Sequence, residues 1–112
     1  VCGVLERGYP AVVDAIHQTN EFLTAPWSDP AAVRAANVLV RETTQLAAEL
    51  EQALSSETPR ELKTAMSEYI TALRALGASY RDHASDEQIN GVGALYSHSR
   101  HGALQACGME DK

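Results

Sequence analysis

Residues 58–80 read TPRELKTAMSEYITALRALGASY, and this stretch decides the fold. Leu62, Met66, Tyr69, Leu73, Leu76 and Tyr80 follow at alternating steps of four and three, with Ile70 beside them. Such steps return to the same side of an α-helix, so the run predicts an amphipathic helix over 59–82 with one apolar face. Thr58 and Glu61 have the spacing of a capping box, and Pro59 between them suits a first helical position, where a missing N–H costs nothing.

The same pattern extends in both directions. Towards the N-terminus, Asp29 precedes Pro30 as a helix start, and the spacing predicts a helix over 30–55. Val33, Val40, Ala47 and Leu54 repeat every seven residues there, Ala36, Thr43 and Leu50 fill the alternate positions, and Leu39, Leu46 and Ala53 widen the stripe. Before it, Val12, Ile16, Thr19 and Leu23 predict a helix over 10–24 with Pro10 in its first turn. Residues 3–9 are a candidate extra turn, with Leu5 and Tyr9 on the same stripe and a kink at Gly8 and Pro10. Towards the C-terminus, Ser85 and Gln88 form a second capping box and predict a helix over 86–106, with Gly108 just beyond it. Its stripe is Ile89, Val92, Tyr96, Ser99, Ala103 and Ala106. Gly91, Gly93 and Gly102 weaken it by about 1 kcal/mol each relative to Ala, unless they serve close helix approach.

Four helices with short connections make antiparallel neighbours. The expected fold is all-α: an antiparallel up-down-up-down four-helix bundle forming one domain over 1–112. The first helix then starts, and the fourth ends, at the same end of the molecule. Cys2 and Cys107, the two cysteines, lie at those points, so the topology predicts a disulfide joining the termini. Disulfides persist mainly in oxidising compartments, and the expected location is therefore extracytoplasmic: secreted, periplasmic or in the cell envelope. The alternatives are two cytosolic thiols, or a lipidated Cys2, which the bulky Val1 before it disfavours.

Composition narrows the function. The chain has 112 residues, a net charge of −6 and nine Lys and Arg. Basic residues so few and scattered do not supply the clustered charge that nucleic-acid binding requires. No apolar run approaches the ~20 residues of a transmembrane segment. Frequent Ala and an excess of Arg over Lys resemble proteins of high-GC bacteria. Gly-x-Ser-x-Gly, His-Glu-x-x-His, P-loop and Gly-x-Gly-x-x-Gly motifs are absent from the sequence, as is the Glu-x-x-His pair of di-iron bundles, so no enzyme is expected.

Three features point to binding. His98 and His101, three apart on the fourth helix, with His83, are candidate ligands for a transition metal or haem, against the plainer reading of surface histidines. His17, Thr43, Tyr69, Tyr96 and Ser99 fall at similar height and form either an internal hydrogen-bond network or the lining of a small-ligand pocket. Trp27, the one Trp, either covers the bundle end near Phe22, Tyr80 and His83 or anchors a protein partner. The expected function is a non-enzymatic, extracytoplasmic interaction module without a cofactor. The alternative is a small-ligand, metal or haem carrier. The glycines of the fourth helix also allow a homodimer.

Overall fold

The computed structural model describes residues 1–22 and 26–109. Among these residues there are four helices: α1 (Cys2–Asn20), α2 (Pro30–Ala53), α3 (Arg60–Arg81) and α4 (Asp86–Ala106). They form an antiparallel four-helix bundle, 46 × 22 × 21 Å along its principal axes. Each helix packs closely against the next in sequence, whereas the backbones of α1 and α4 approach one another less closely.

The apolar stripe of α3 is the centre of the core. Met66, Tyr69, Leu73 and Leu76 are buried, as are Ile70 and Ala72 beside them. Leu5, Val12 and Ala15 of α1, Leu39, Leu46 and Leu50 of α2, and Tyr96, Ala103 and Leu104 of α4 close around it. The stripe of α2 is buried over most of its expected positions, Ala47 included. Ala36, Leu39, Thr43, Leu46 and Leu50 are buried, but Val33, Val40 and Leu54 are only half-buried. On α4 the small residues Ser99 and Ala103 are inside, Ile89 and Val92 are half-buried, and Ala106 is exposed in favour of Leu104.

The helix ends follow local chemistry, with two corrections. Asp29 accepts from the Ala31 N–H at 2.9 Å, and Pro30 opens α2, as expected. At α4 both halves of the Ser85–Gln88 capping box form. At α3 the expected Thr58–Glu61 box does not form: Thr58 instead accepts from the Ser55 N–H at 3.0 Å, closing the turn after α2, and α3 begins without a side-chain cap. The second correction concerns α1, which starts at Cys2 and runs through Pro10. Proline lacks an N–H to bond the Glu6 carbonyl. Both residues lie on the exposed side, open to solvent, while Leu5 and Val12 bury the opposite side. The expected end of α1 at Leu23 and Thr24 lies outside the described residues.

Two helices end in Schellman motifs, each with a left-handed residue just past the cap. After α4 this is Gly108, at φ 69°, and Met109 N–H reaches Leu104 O at 2.8 Å. After α3 it is His83, at φ 52°, and Ala84 N–H reaches Ser79 O at 2.9 Å.

Close approach falls on glycines other than those of α4. A Cβ built on Gly77 would stand 2.5 Å from Thr43 Oγ1, so this glycine lets α3 meet α2. Gly8 does the same for α1 against Leu46. Gly91, Gly93 and Gly102 face open space, and packing within the bundle does not account for them.

Candidate functional site

Cys2 and Cys107 form a disulfide, with Cα atoms 5.6 Å apart and 105 positions between them in sequence. It closes the bundle where α1 begins and α4 ends. The seam between these two helices is thus covalently fixed at one end.

The proposed polar layer is filled rather than hollow. Tyr69 and Tyr96 are fully buried and their hydroxyls meet at 3.0 Å. Burial pushes the Tyr69 phenol far above its usual range, and the neighbouring Tyr96 adds to the shift. The Arg100 guanidinium lies over the Tyr96 ring, 5.6 Å from its centre. Thr43 is buried and returns its hydroxyl to its own helix, donating to Leu39 O at 2.8 Å. Ser99 is buried and, with His98, borders an open concavity between α3 and α4 that Ser67, Glu68, Thr71 and Leu95 also line. His17 does not belong to this layer: it is exposed, one position past the buried side of α1. These residues form core, with one buried tyrosine pair at its centre.

The histidines do not converge. His98 and His101 are exposed on α4. His83 precedes α4, so more than ten residues of helix, roughly 20 Å or more, separate it from them. Among the described residues no three His, Cys, Asp or Glu side chains are placed to hold a metal ion together. His83 therefore does not share one site with His98 and His101.

A more enclosed concavity lies at the end opposite the disulfide. Where α1 stops and α4 starts, a cavity of about 210 Å³ opens between the helix ends. Phe22, Trp27, Tyr80 and Ile89 supply its apolar walls, with the small Ala32 behind them. Thr19, Asp86 and Asn90 are its polar groups. Thr19 Oγ1 donates to Ile16 O at 2.7 Å and stands 3.4 Å from the Tyr80 hydroxyl. Trp27 and Tyr80 meet edge to face, their centroids 6.3 Å apart and their planes 82° apart. His83 stacks on Trp27 with centroids 4.2 Å apart and planes within 5°. Trp27 therefore has partners within the bundle and also borders the cavity.

Sequence reasoning placed Trp27 near Tyr80 and His83 but missed the cavity. Asp86 and Asn90, four apart on α4, were legible only as a helix start and a solvated face. Their separation by one helical turn was the available signal that both reach the same site.

The family model described as the Rv2240c four-helix bundle domain matches residues 1–108. The chain belongs to this family. The span matched to the Rv2240c four-helix bundle domain includes both cysteines and every residue lining the end cavity. No curated protein and no solved structure matches the chain. Among the described residues no helix is long and apolar enough to cross a membrane.

Proposed function

We propose that this domain is a non-enzymatic, extracytoplasmic binding module of bacterial origin, and that the end cavity is its recognition site. The observation that carries the reading is the cavity's lining: three of the chain's six aromatic residues surround about 210 Å³, with a hydroxyl, a carboxylate and an amide among them. Concave apolar walls with a few placed polar groups are the usual composition of a ligand site. An engineered cavity of about 150 Å³ accommodates benzene, so this one suits a small molecule or a single projecting group. The disulfide supports an oxidising location.

The test is a fragment screen followed by Trp27 fluorescence, since the one Trp borders the cavity. Ligands should shift its emission, and Ala32→Leu, which fills the cavity, should abolish the response while far-UV circular dichroism stays unchanged. Absence of any binder would sink the reading. Location is tested separately by trapping free thiols in the source organism; a reduced pair would contradict it.

A homodimer through α4 is a second reading. Gly91, Leu95, His98 and Gly102 recur at steps of four, three and four along one face, and Leu95 is 47% exposed. Sedimentation of the wild type beside Leu95→Glu decides it, since a dimer across this face should dissociate in the variant.

A further inference from the structure

We infer that the end cavity takes a small organic ammonium cation, an inference that rests on the cavity being the binding site. Its chemistry favours a positive group with apolar substituents. Phe22, Trp27 and Tyr80 line it, and Trp27, one face of which stacks on His83, stands nearly perpendicular to Tyr80, so three aromatic rings border the same space. Ring faces attract cations, and a quaternary ammonium combines that attraction with the methyl surface such walls desolvate. Asp86 adds a carboxylate, and among the described residues no Lys or Arg lines the cavity.

The obvious competitor is an anion, because α4 begins here and helix N-termini attract negative charge. The capping box counters this. Ser85 Oγ already accepts from the Gln88 N–H at 3.3 Å, and Gln88 Oε1 accepts from the Ser85 N–H at 3.2 Å. Asp86 and Glu87 then place two carboxylates in the first turn. An anion would meet two of the first-turn donors already engaged and, in the cavity lining, the like charge of Asp86. For a cation the Asp86 carboxylate attracts, and the amide oxygen of Asn90, one turn further, can accept from a primary ammonium.

The size is consistent. A volume of about 210 Å³ exceeds what benzene occupies in a cavity of about 150 Å³, leaving room for a trimethylammonium group and a short stem. The same cation occurs free or as a lipid headgroup.

The experiment is an NMR titration of the oxidised protein with choline and with 3,3-dimethyl-1-butanol, its uncharged carbon isostere. Choline should move the Trp27 indole and Asn90 resonances and bind about tenfold or more tightly than the isostere. Trp27→Leu should weaken choline by a similar factor. Asn90→Asp, nearly isosteric, should tighten it about three- to fivefold at low salt by adding a second carboxylate, a gain that misfolding does not produce. Cosedimentation with phosphatidylcholine vesicles would assign the cation to a lipid headgroup, and choline binding without it to a soluble compound. Equal affinity for choline and the isostere, or an unchanged Asn90→Asp, would overturn the inference. If neutral fragments bind and cations do not, the inference falls while the cavity stands as a site; if nothing binds, the underlying reading falls with it.

Discussion

Trp27 lies flat on His83, and His83 reaches that position from a backbone at φ 52°, in the left-handed region. This region costs a side-chain-bearing residue about 1–2 kcal/mol, which is why glycine usually takes the position just past a helix end. Here the ring contact offsets part of that cost. His83→Gly should relieve the backbone and lose the stack, two opposed terms of about 1 kcal/mol each. Stability should therefore change little while Trp27 emission moves to the red. His83→Ala keeps the backbone cost and loses the ring, and should lower stability by about 1 kcal/mol. Thermal melts and tryptophan fluorescence of the two variants check both expectations.

The disulfide restrains nearly the whole chain, since 105 positions separate its ends. In the chain-entropy treatment a loop of ~100 residues corresponds to about 4.7 kcal/mol, and measured effects are often smaller. Cys2→Ser with Cys107→Ser should therefore lower Tm by roughly 10–20 °C while leaving the helices in place. Thermal melts followed by circular dichroism, with and without reductant, test this; an unchanged Tm would refute it.

The buried tyrosine pair should show strong coupling. Tyr69→Phe or Tyr96→Phe alone removes one partner of the 3.0 Å contact and should cost about 1–2 kcal/mol. The double variant should cost little more than either single one, since no hydroxyl is then left without its partner. Denaturant titration of the four proteins gives the coupling energy.

Alkaline pH should act through the same pair. Burial raises the Tyr69 phenol above its ordinary value near 10, and Tyr96 raises it further. The unfolded chain then releases this proton before the folded one does. The contribution is complete below about pH 10 and is lost as pH rises above it, so stability should fall there. Comparing tyrosinate absorbance of the wild type and Tyr69→Phe should show Tyr69 ionising only as helical circular dichroism is lost.

The glycines should divide into two groups. Gly77→Ala places its Cβ against Thr43 and should destabilise by about 1–3 kcal/mol, with Thr43→Ala restoring much of the loss. Gly91→Ala and Gly102→Ala meet open space within a helix and should stabilise by up to about 1 kcal/mol each. Melting temperatures of the single variants distinguish the groups.

The fold was legible because it depends on a repeated signal. The steps of four and three in α3 recur in the other helices, and the topology they imply brings Cys2 to Cys107. What was not legible depends on single contacts. Pro10 looked like a beginning because a helix tolerates it there; whether it also tolerates it inside depends on which side meets water, and on the core contacts of Leu5 before it. Thr58 and Glu61 have the right spacing for a cap, but Ser55 competes for the same hydroxyl. Gly77 carries no periodic signal at all, since its importance lies in Thr43 on another helix. The end cavity was hidden for a similar reason: its walls come from four helix ends and a connection, and no spacing within one segment records how such ends meet.

The bond between Cys2 and Cys107 makes the backbone between them a closed ring. A single proteolytic cut in any connection between helices therefore releases nothing. The nicked molecule remains one covalent piece with all four helices attached, able to stay assembled through its packing. Two cuts are needed before a helix can leave.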